Sequence, residues 1–294
     1  MLNNIKTETM KTLKFKTLLF SFLLLLSGLS LSAEEYEKKY HEQYPIDKNT
    51  VLEVSNKFGS VNINNWDKDE VSIDVTIKVD KSNENKAERI FDKIKIYISK
   101  ENNRIMALTE IEGTLTAASD LSIDYEIKAP SYILLELEAK FCDVFINELT
   151  RRVDLEIGYG NFKANKLLHG DEKPLSEIKL SYCDKVDIDE LRWGKLIVKY
   201  SSKVNIDQAK AIIAVTKYSK LNIEDVSSLV CETAYDTYKV GKAKNFVGVS
   251  KYTDYSFDEI GNQIDIEMKY GNLKVANIPA GFESIKTLSK YSNV

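Results

Sequence analysis

The chain has 294 residues, 43% of them apolar and 29% charged, with a formal net charge of −4. That balance provides no basic excess of the kind nucleic-acid binding requires. Sixteen tyrosines against four prolines and two histidines, together with abundant Val and Ile, tilt the composition toward strands.

In chain order, residues 1–33 read as an address. Lys11, Lys14 and Lys16 precede the apolar run from Leu18 to Leu31, which exits at Ser32-Ala33. A basic start, an apolar centre and a small-residue exit describe a secretory signal peptide, with Met10 giving the tidier basic start. The run is shorter than a spanning helix needs, and "AEEYEKK" is a poor stop-transfer flank. No cysteine lies near the exit to carry a lipid anchor, and no later stretch approaches membrane length. The mature chain is therefore expected to be exported and soluble, in the periplasm, on the outer cell surface or in the medium.

Residues 34–134 are expected to form a mixed cap. "EVSIDVTIKVD" from Glu70 alternates strictly and predicts a strand. "NENKAERIFDKI" places Ala87, Ile90, Phe91 and Ile94 on one helical face, with Ser82 or Asn83 as the N-cap. "KIYISKENNRIMALTEIEG" reads as a hairpin turning at Glu101-Asn102-Asn103, and "DLSIDYEIKAP" as a further strand. His41 is placed in the leader.

From Phe141 onward one phrase repeats: an aromatic, a small residue, a turn former, then alternating apolar residues. It reads "FCDVFINEL" from Phe141, "YGNFKANKL" from Tyr159, "YCDKVDIDEL" from Tyr182 and "YGNLKVANI" from Tyr270, with similar units from Tyr200, Tyr218, Tyr235 and Tyr252 and a last start at Tyr291. Successive aromatics are 18, 23, 18, 18, 17, 17, 18 and 21 residues apart. A period this short, with an internal alternation of two, has no room for helices and predicts coils that stack in parallel, about 4.8 Å apart. The expected fold is all-β: a parallel β-solenoid, or β-helix, of about nine coils of 17–18 residues over 135–294, preceded by the mixed cap. "FGSV" at Phe58 matches the same phrase. The phrase is also cut short at "SKYSNV", which is read as an incomplete chain or as an edge that pairs with another.

Cys142 and Cys183 hold equivalent positions two coils apart, near 10 Å, beyond the reach of a disulfide. With Cys231 they are expected to be free thiols. The long interval contains "LLHGDEKPLSE", a surface loop with Gly170 and Pro174 as punctuation.

The aromatics are taken to face inward, which turns the preceding residue outward. That outward column is Lys140, Lys199, Lys217, Lys251, Lys269 and Lys290. Stacked lysines repel unless an anion meets them, so Lys199, Lys217, Lys251 and Lys269 are the candidate ligand-contact stripe; the competing reading is edge protection and solubility. Two more outward columns turn apolar partway along, at Ile197, Val215 and Val249 and at Ile213, Val230 and Val247. A one-residue register slip is favoured over an exposed apolar patch. Asp143, Asn161, Asp184, Asp254 and Asn272 fall on a turn position and read as a turn ladder. His169 lies in the loop, so no histidine pair is credible, and no cofactor or metal is expected.

"NKFGSVNINNWDKDEVSIDVTIKVD" with the helix after it, then "YEIKAPSYILLELEAKFCDVFINELTRRVDLEIGYGNFKANKL", resembles the exported putative-adhesin family of Bacteroidota over nearly the whole mature chain. The resemblance implies a β-solenoid-like fold and a cell-envelope location, and brings no catalytic motif. The function expected is a non-catalytic binding or structural module that meets anionic glycan or a cell-surface protein. The alternatives are a polysaccharide-active enzyme, which carboxylates and a basic residue in one groove would favour, and a scaffold that docks through its C-terminal edge.

Overall fold

The computed structural model describes residues 34–81, 83–113 and 121–294; the signal peptide expected over 1–33 lies outside them. The described chain is nearly all β, with one short helix and a core of parallel strands.

Its parallel part is built from long strands that each pair in register with the next. β11 (Val186–Lys199), β12 (Val204–Lys217), β13 (Lys220–Ala234), β14 (Thr237–Lys251) and β15 (Asp254–Lys269) follow one another this way. Each contains three paired segments separated by unpaired corner residues, such as Asp189 opposite Asp207 and Arg192 opposite Lys210. Upstream, β7 (Leu134–Leu149), β8 (Val153–Gly158), β9 (Phe162–Leu167) and β10 (Ser176–Ser181) continue the same registers, and β16 (Asn272–Asn277) and β17 (Ser284–Lys290) add the last. Leu155, Ile157, Phe162, Ala164 and Leu167, for example, point inward and are buried, because alternation with a period of two sends every second side chain to one face.

The region before Phe141 joins this stack. β2 (Val51–Asn65) pairs in parallel with β7, Val51 opposite Leu134 through Ile63 opposite Ile146. On its other side, β5 (Arg104–Ile111) and β6 (Leu121–Ala129) also run parallel to β2. Antiparallel strands then flank these: β4 (Ile94–Glu101) on β5, and β3 (Glu70–Lys81) on β6 with β1 (Glu34–Pro45) beyond it. One apolar core runs from Leu52 to Leu273 through both parts.

The helix, α1 (Glu84–Phe91), is capped by Asn83, whose side chain accepts from the Lys86 N–H, and it buries Ala87 and Phe91. Ile94 is buried too, but as the first residue of β4 rather than on the helix. The hairpin turns where expected, with Asn102 at φ 52°. Sequence reading assigned nothing to β1 and put His41 in the leader. His41 instead stands in β1, with Nδ1 2.6 Å from Asp74 of β3. Its segment, "EEYEKKYHEQYP", sets a tyrosine at every fourth residue, Tyr36, Tyr40 and Tyr44, among charged and polar ones, as a half-exposed edge strand can.

All three cysteines are free and buried, as expected.

Candidate functional site

The corner that follows each Lys or its equivalent has one geometry throughout. Phe58, Phe141, Tyr159, Tyr182, Tyr200, Tyr218, Tyr235, Tyr252, Tyr270 and Tyr291 all have φ between 54° and 66°, a left-handed conformation uncommon for residues other than glycine. This corrects the expectation that the aromatics face inward. A left-handed residue breaks the strand's alternation, so the ring is thrown to the surface and the next, small residue takes the inward place. From Phe141 to Tyr270 the anchors are 44–51% exposed. Their rings stack on one another with centroids 4.7–5.3 Å apart and planes within 19°. Ring faces are thereby covered by neighbours, while edges and phenol hydroxyls form a continuous outer row. The signal missed in the sequence is the residue after each anchor: Gly, Cys, Ser, Asp or Thr every time, a size limit belonging to the interior.

That small-residue column holds the corner. The Ser201 hydroxyl accepts from Cys183 N–H at 3.1 Å and donates to Lys199 C=O at 3.1 Å. Ser219 likewise accepts from Ser201 N–H and donates to Lys217 C=O. Asp236 takes the role with a carboxylate, accepting from Ser219 N–H at 2.7 Å, Ala234 N–H at 3.0 Å and the Thr216 hydroxyl at 2.8 Å; burial pushes its pKa up against those hydrogen bonds. Where the column is glycine there is no alternative: a Cβ on Gly160 would sit 1.9 Å from the Cys142 carbonyl oxygen. The turn position after it is a hydrogen-bonded ladder, with Asn161 donating to Asp143 and Asn272 to Asp254, as Asx turn formers do.

The lysine column lies beside the tyrosines. Lys199 pairs with Lys217, Ala234 with Lys251, Lys251 with Lys269 and Lys269 with Lys290, so all share one column. Lys57, opposite Lys140, extends it. Lys199, Lys217 and Lys251 are exposed and Lys269 half-exposed. Their outward direction is as expected, although the tyrosines beside them face outward as well. Lys140 is ion-paired with Glu138 at 2.7 Å. Among the described residues, none of Lys199, Lys217, Lys251 and Lys269 has a carboxylate partner. Lys217 Nζ lies 5.2 Å from the centre of the Tyr218 ring.

The other outward columns of the same strands are in register too: Lys195, Ile213, Val230, Val247 and Asp265 in one, Ile197, Val215, Glu232, Val249 and Glu267 in the other. The register slip expected here does not occur, and the apolar residues face solvent, Val249 at 53%. The inward residues shrink to Ala214, Cys231 and Gly248 because large rings fill that space, Tyr238, Tyr255 and Phe257 from the facing segments and Phe246 from Gly248's own segment. Tyr238, Tyr255, Phe246 and Phe257 are all buried, and Phe246 packs 5.1 Å from Tyr255 and 4.7 Å from Phe257.

Nearer the N-terminus the same face is charged. Glu53, Glu136, Asp154 and Glu177 stack in one column and line an open groove of about 530 Å³ that Pro174 and Leu175 of the 168–175 loop help wall. Arg104 bridges Glu53 and Glu136 at 2.7 Å each, Arg152 holds Asp154 at 2.7 Å, and Lys179 and Lys195 hold Glu177. Burial, opposed by Arg152, raises the Asp154 pKa; hydrogen bonds from Lys195 and Lys179 lower that of Glu177. Every carboxylate of the column has a cation, the pattern of a cross-strand ion-pair ladder. Among the described residues no group of His, Cys, Asp and Glu is placed to hold a metal, and no helix is long and apolar enough to cross a membrane.

No protein-family model and no curated protein matches the chain. Several solved structures resemble it. A putative adhesin from Parabacteroides merdae is 12% identical with a TM-score of 0.38, covering 87% of this chain and 96% of its own. A putative lipid binding protein from Parabacteroides distasonis is 11% identical with a TM-score of 0.39, covering 87% and 97%. A putative adhesin from Bacteroides fragilis is 14% identical with a TM-score of 0.29, covering 87% and 97%. Most of these neighbours are named as the kind of protein the sequence resembles.

Proposed function

We propose that the chain is a β-solenoid whose coils of 17–18 residues carry a non-catalytic binding module of the cell envelope, exported by its leader and meeting an anionic glycan or a surface protein along its lysine–tyrosine edge. The observation that supports this reading is the column of Lys199, Lys217, Lys251 and Lys269, in register and, among the described residues, without carboxylate partners, beside an exposed row of stacked tyrosines. Elsewhere on the face lysines are ion-paired; here the repulsion of stacked cations goes unrelieved, which an anionic polymer running along the stack would relieve. Rungs about 4.8 Å apart give such a polymer a repeating set of ammonium and phenol groups. Binding of the purified protein to acidic and neutral glycans under titrated salt tests it.

The polysaccharide-active alternative has one observation in its favour, the groove where Asp154 and Glu177 stand on adjacent strands with Arg152 between Asp154 and Glu136. It stands second because each carboxylate there is already ion-paired. Release of reducing ends from an acidic polysaccharide, lost in Asp154→Asn, would reverse the order.

A further inference from the structure

Six aliphatic side chains, Ile197, Ile213, Val215, Val230, Val247 and Val249, lie together on the outward face of β11 to β14, interrupted only by Glu232. Ile213, Val230 and Val247 are 38–39% exposed and Val249 53%. β-Branched residues suit strands, yet the same two columns carry Glu136, Glu138, Asp154 and Glu156 upstream and Asp265 and Glu267 downstream. The fold therefore accepts charge at these places, and the strands do not require aliphatic residues there.

The lysine column borders this panel. Residues one, three and five before each anchor share a face, so Lys199, Lys217 and Lys251 point the same way as the aliphatic side chains. Beyond the lysines come the tyrosine hydroxyls. A flat apolar panel, then a row of ammonium groups with no carboxylate partner among the described residues, then a row of phenols is the layering of a surface that meets an anionic leaflet: aliphatic groups toward the acyl region, cations at phosphate level, tyrosines at the interface.

We propose that this face binds peripherally to an anionic lipid surface, with the panel as its apolar contact and Lys199, Lys217, Lys251 and Lys269 on the headgroup phosphates. The proposal rests on the reading of the lysine column as an anion-contact site, and adds that the anion belongs to a lipid leaflet. A second copy of the chain fits the panel less well. A two-fold docking of panel on panel sets the lysines either against the partner's lysines or against the column on the panel's other side, which is Trp193, Ala211, Ser228 and Asn245. Neither arrangement gives them a carboxylate column.

The test uses vesicles of equimolar phosphatidylglycerol and phosphatidylcholine, vesicles of phosphatidylcholine alone, and dextran sulfate as a soluble polyanion. Three proteins are compared: the wild type, a triple variant (Val230→Ser, Val247→Ser, Val249→Ser) and a quadruple variant (Lys199→Ser, Lys217→Ser, Lys251→Ser, Lys269→Ser). All substitutions face outward, and retained folding is read by circular dichroism. The wild type is expected to co-sediment with the anionic vesicles and not with phosphatidylcholine alone. The triple variant should lose on the order of tenfold or more in vesicle affinity while binding dextran sulfate as the wild type does. Each lysine is worth about fivefold at an anionic surface, so the quadruple variant should lose both ligands. If the triple variant binds vesicles as the wild type does, the lipid proposal is overturned and the lysine reading stands. Failure of the wild type to bind either polyanion at low salt overturns both. A concentration-dependent dimer that ignores vesicles and is dissolved by the triple substitution would assign the panel to a second copy.

Discussion

Replacing Tyr218 by alanine and by glycine should give an order of stabilities opposite to the usual one for a strand. Tyr218 has φ 54° and stacks on Tyr200 at 5.2 Å and on Tyr235 at 4.9 Å. Two ring contacts at about 0.5–1.5 kcal/mol each are worth about 1–3 kcal/mol, and both variants forfeit them. Alanine keeps the left-handed cost, roughly 1–2 kcal/mol, whereas glycine removes it and instead adds about 0.5–1 kcal/mol of unfolded-chain entropy. Tyr218→Ala should therefore be the less stable of the two by about 0.5–1 kcal/mol, and the less stable than wild type by about 2 kcal/mol. Urea unfolding followed by circular dichroism measures both. A double-mutant cycle between Tyr200 and Tyr218 should show coupling of about 0.5–1.5 kcal/mol, and one between Tyr182 and Tyr252 none. If alanine proves equal to or better than glycine, the left-handed anchor is not the strained element described here.

The remaining predictions concern the interior. Burial pushes the Cys142 thiol up to about 12 and raises Cys183 and Cys231 as well. At pH 8 a thiol of that kind is thiolate in about one molecule in ten thousand, so Ellman's reagent should label no cysteine in the folded protein and all three in urea; rapid labelling of the native chain would contradict the burial. Asp236 binds its proton more tightly folded than unfolded, because its pKa is raised. Stability should then fall as pH rises from about 4, the ordinary carboxylate value, until the folded pKa is passed. Asp236→Ser restores the hydroxyl found at Ser201 and Ser219 and should flatten that part of the profile; an unchanged profile would assign the pH dependence to other groups.

The period of 17–18 residues and the alternation within it make the parallel strands legible in the sequence, and the equivalent positions of Cys142 and Cys183 make their free thiols legible too. Two things were not legible, for one physical reason. Alternation tells inside from outside only within an unbroken strand, and the left-handed anchor is where this chain breaks. The tyrosines were accordingly placed inside, although the strict Gly, Cys, Ser, Asp, Thr column after them marked the interior. The aliphatic columns read as a slip because large-in and small-out is the usual order; Tyr238, Tyr255 and Phe257 invert it by filling the interior from the facing segments, together with Phe246 on Gly248's own segment. β1 is not legible because its only apolar signal is a tyrosine at every fourth residue among charges, too sparse to mark a strand. The lysine column is legible only in part: the lysines do point outward, and so do the tyrosines beside them.

The most direct test is the affinity of the purified protein for an acidic polysaccharide and for a neutral one of equal length, measured as salt is raised, with and without the four substitutions Lys199→Ser, Lys217→Ser, Lys251→Ser and Lys269→Ser. The account predicts binding to the acidic polymer at low salt that weakens steeply as salt screens it, is absent for the neutral polymer, and is lost in the variant. Binding that ignores both salt and the substitutions, or no binding at low salt, would contradict it.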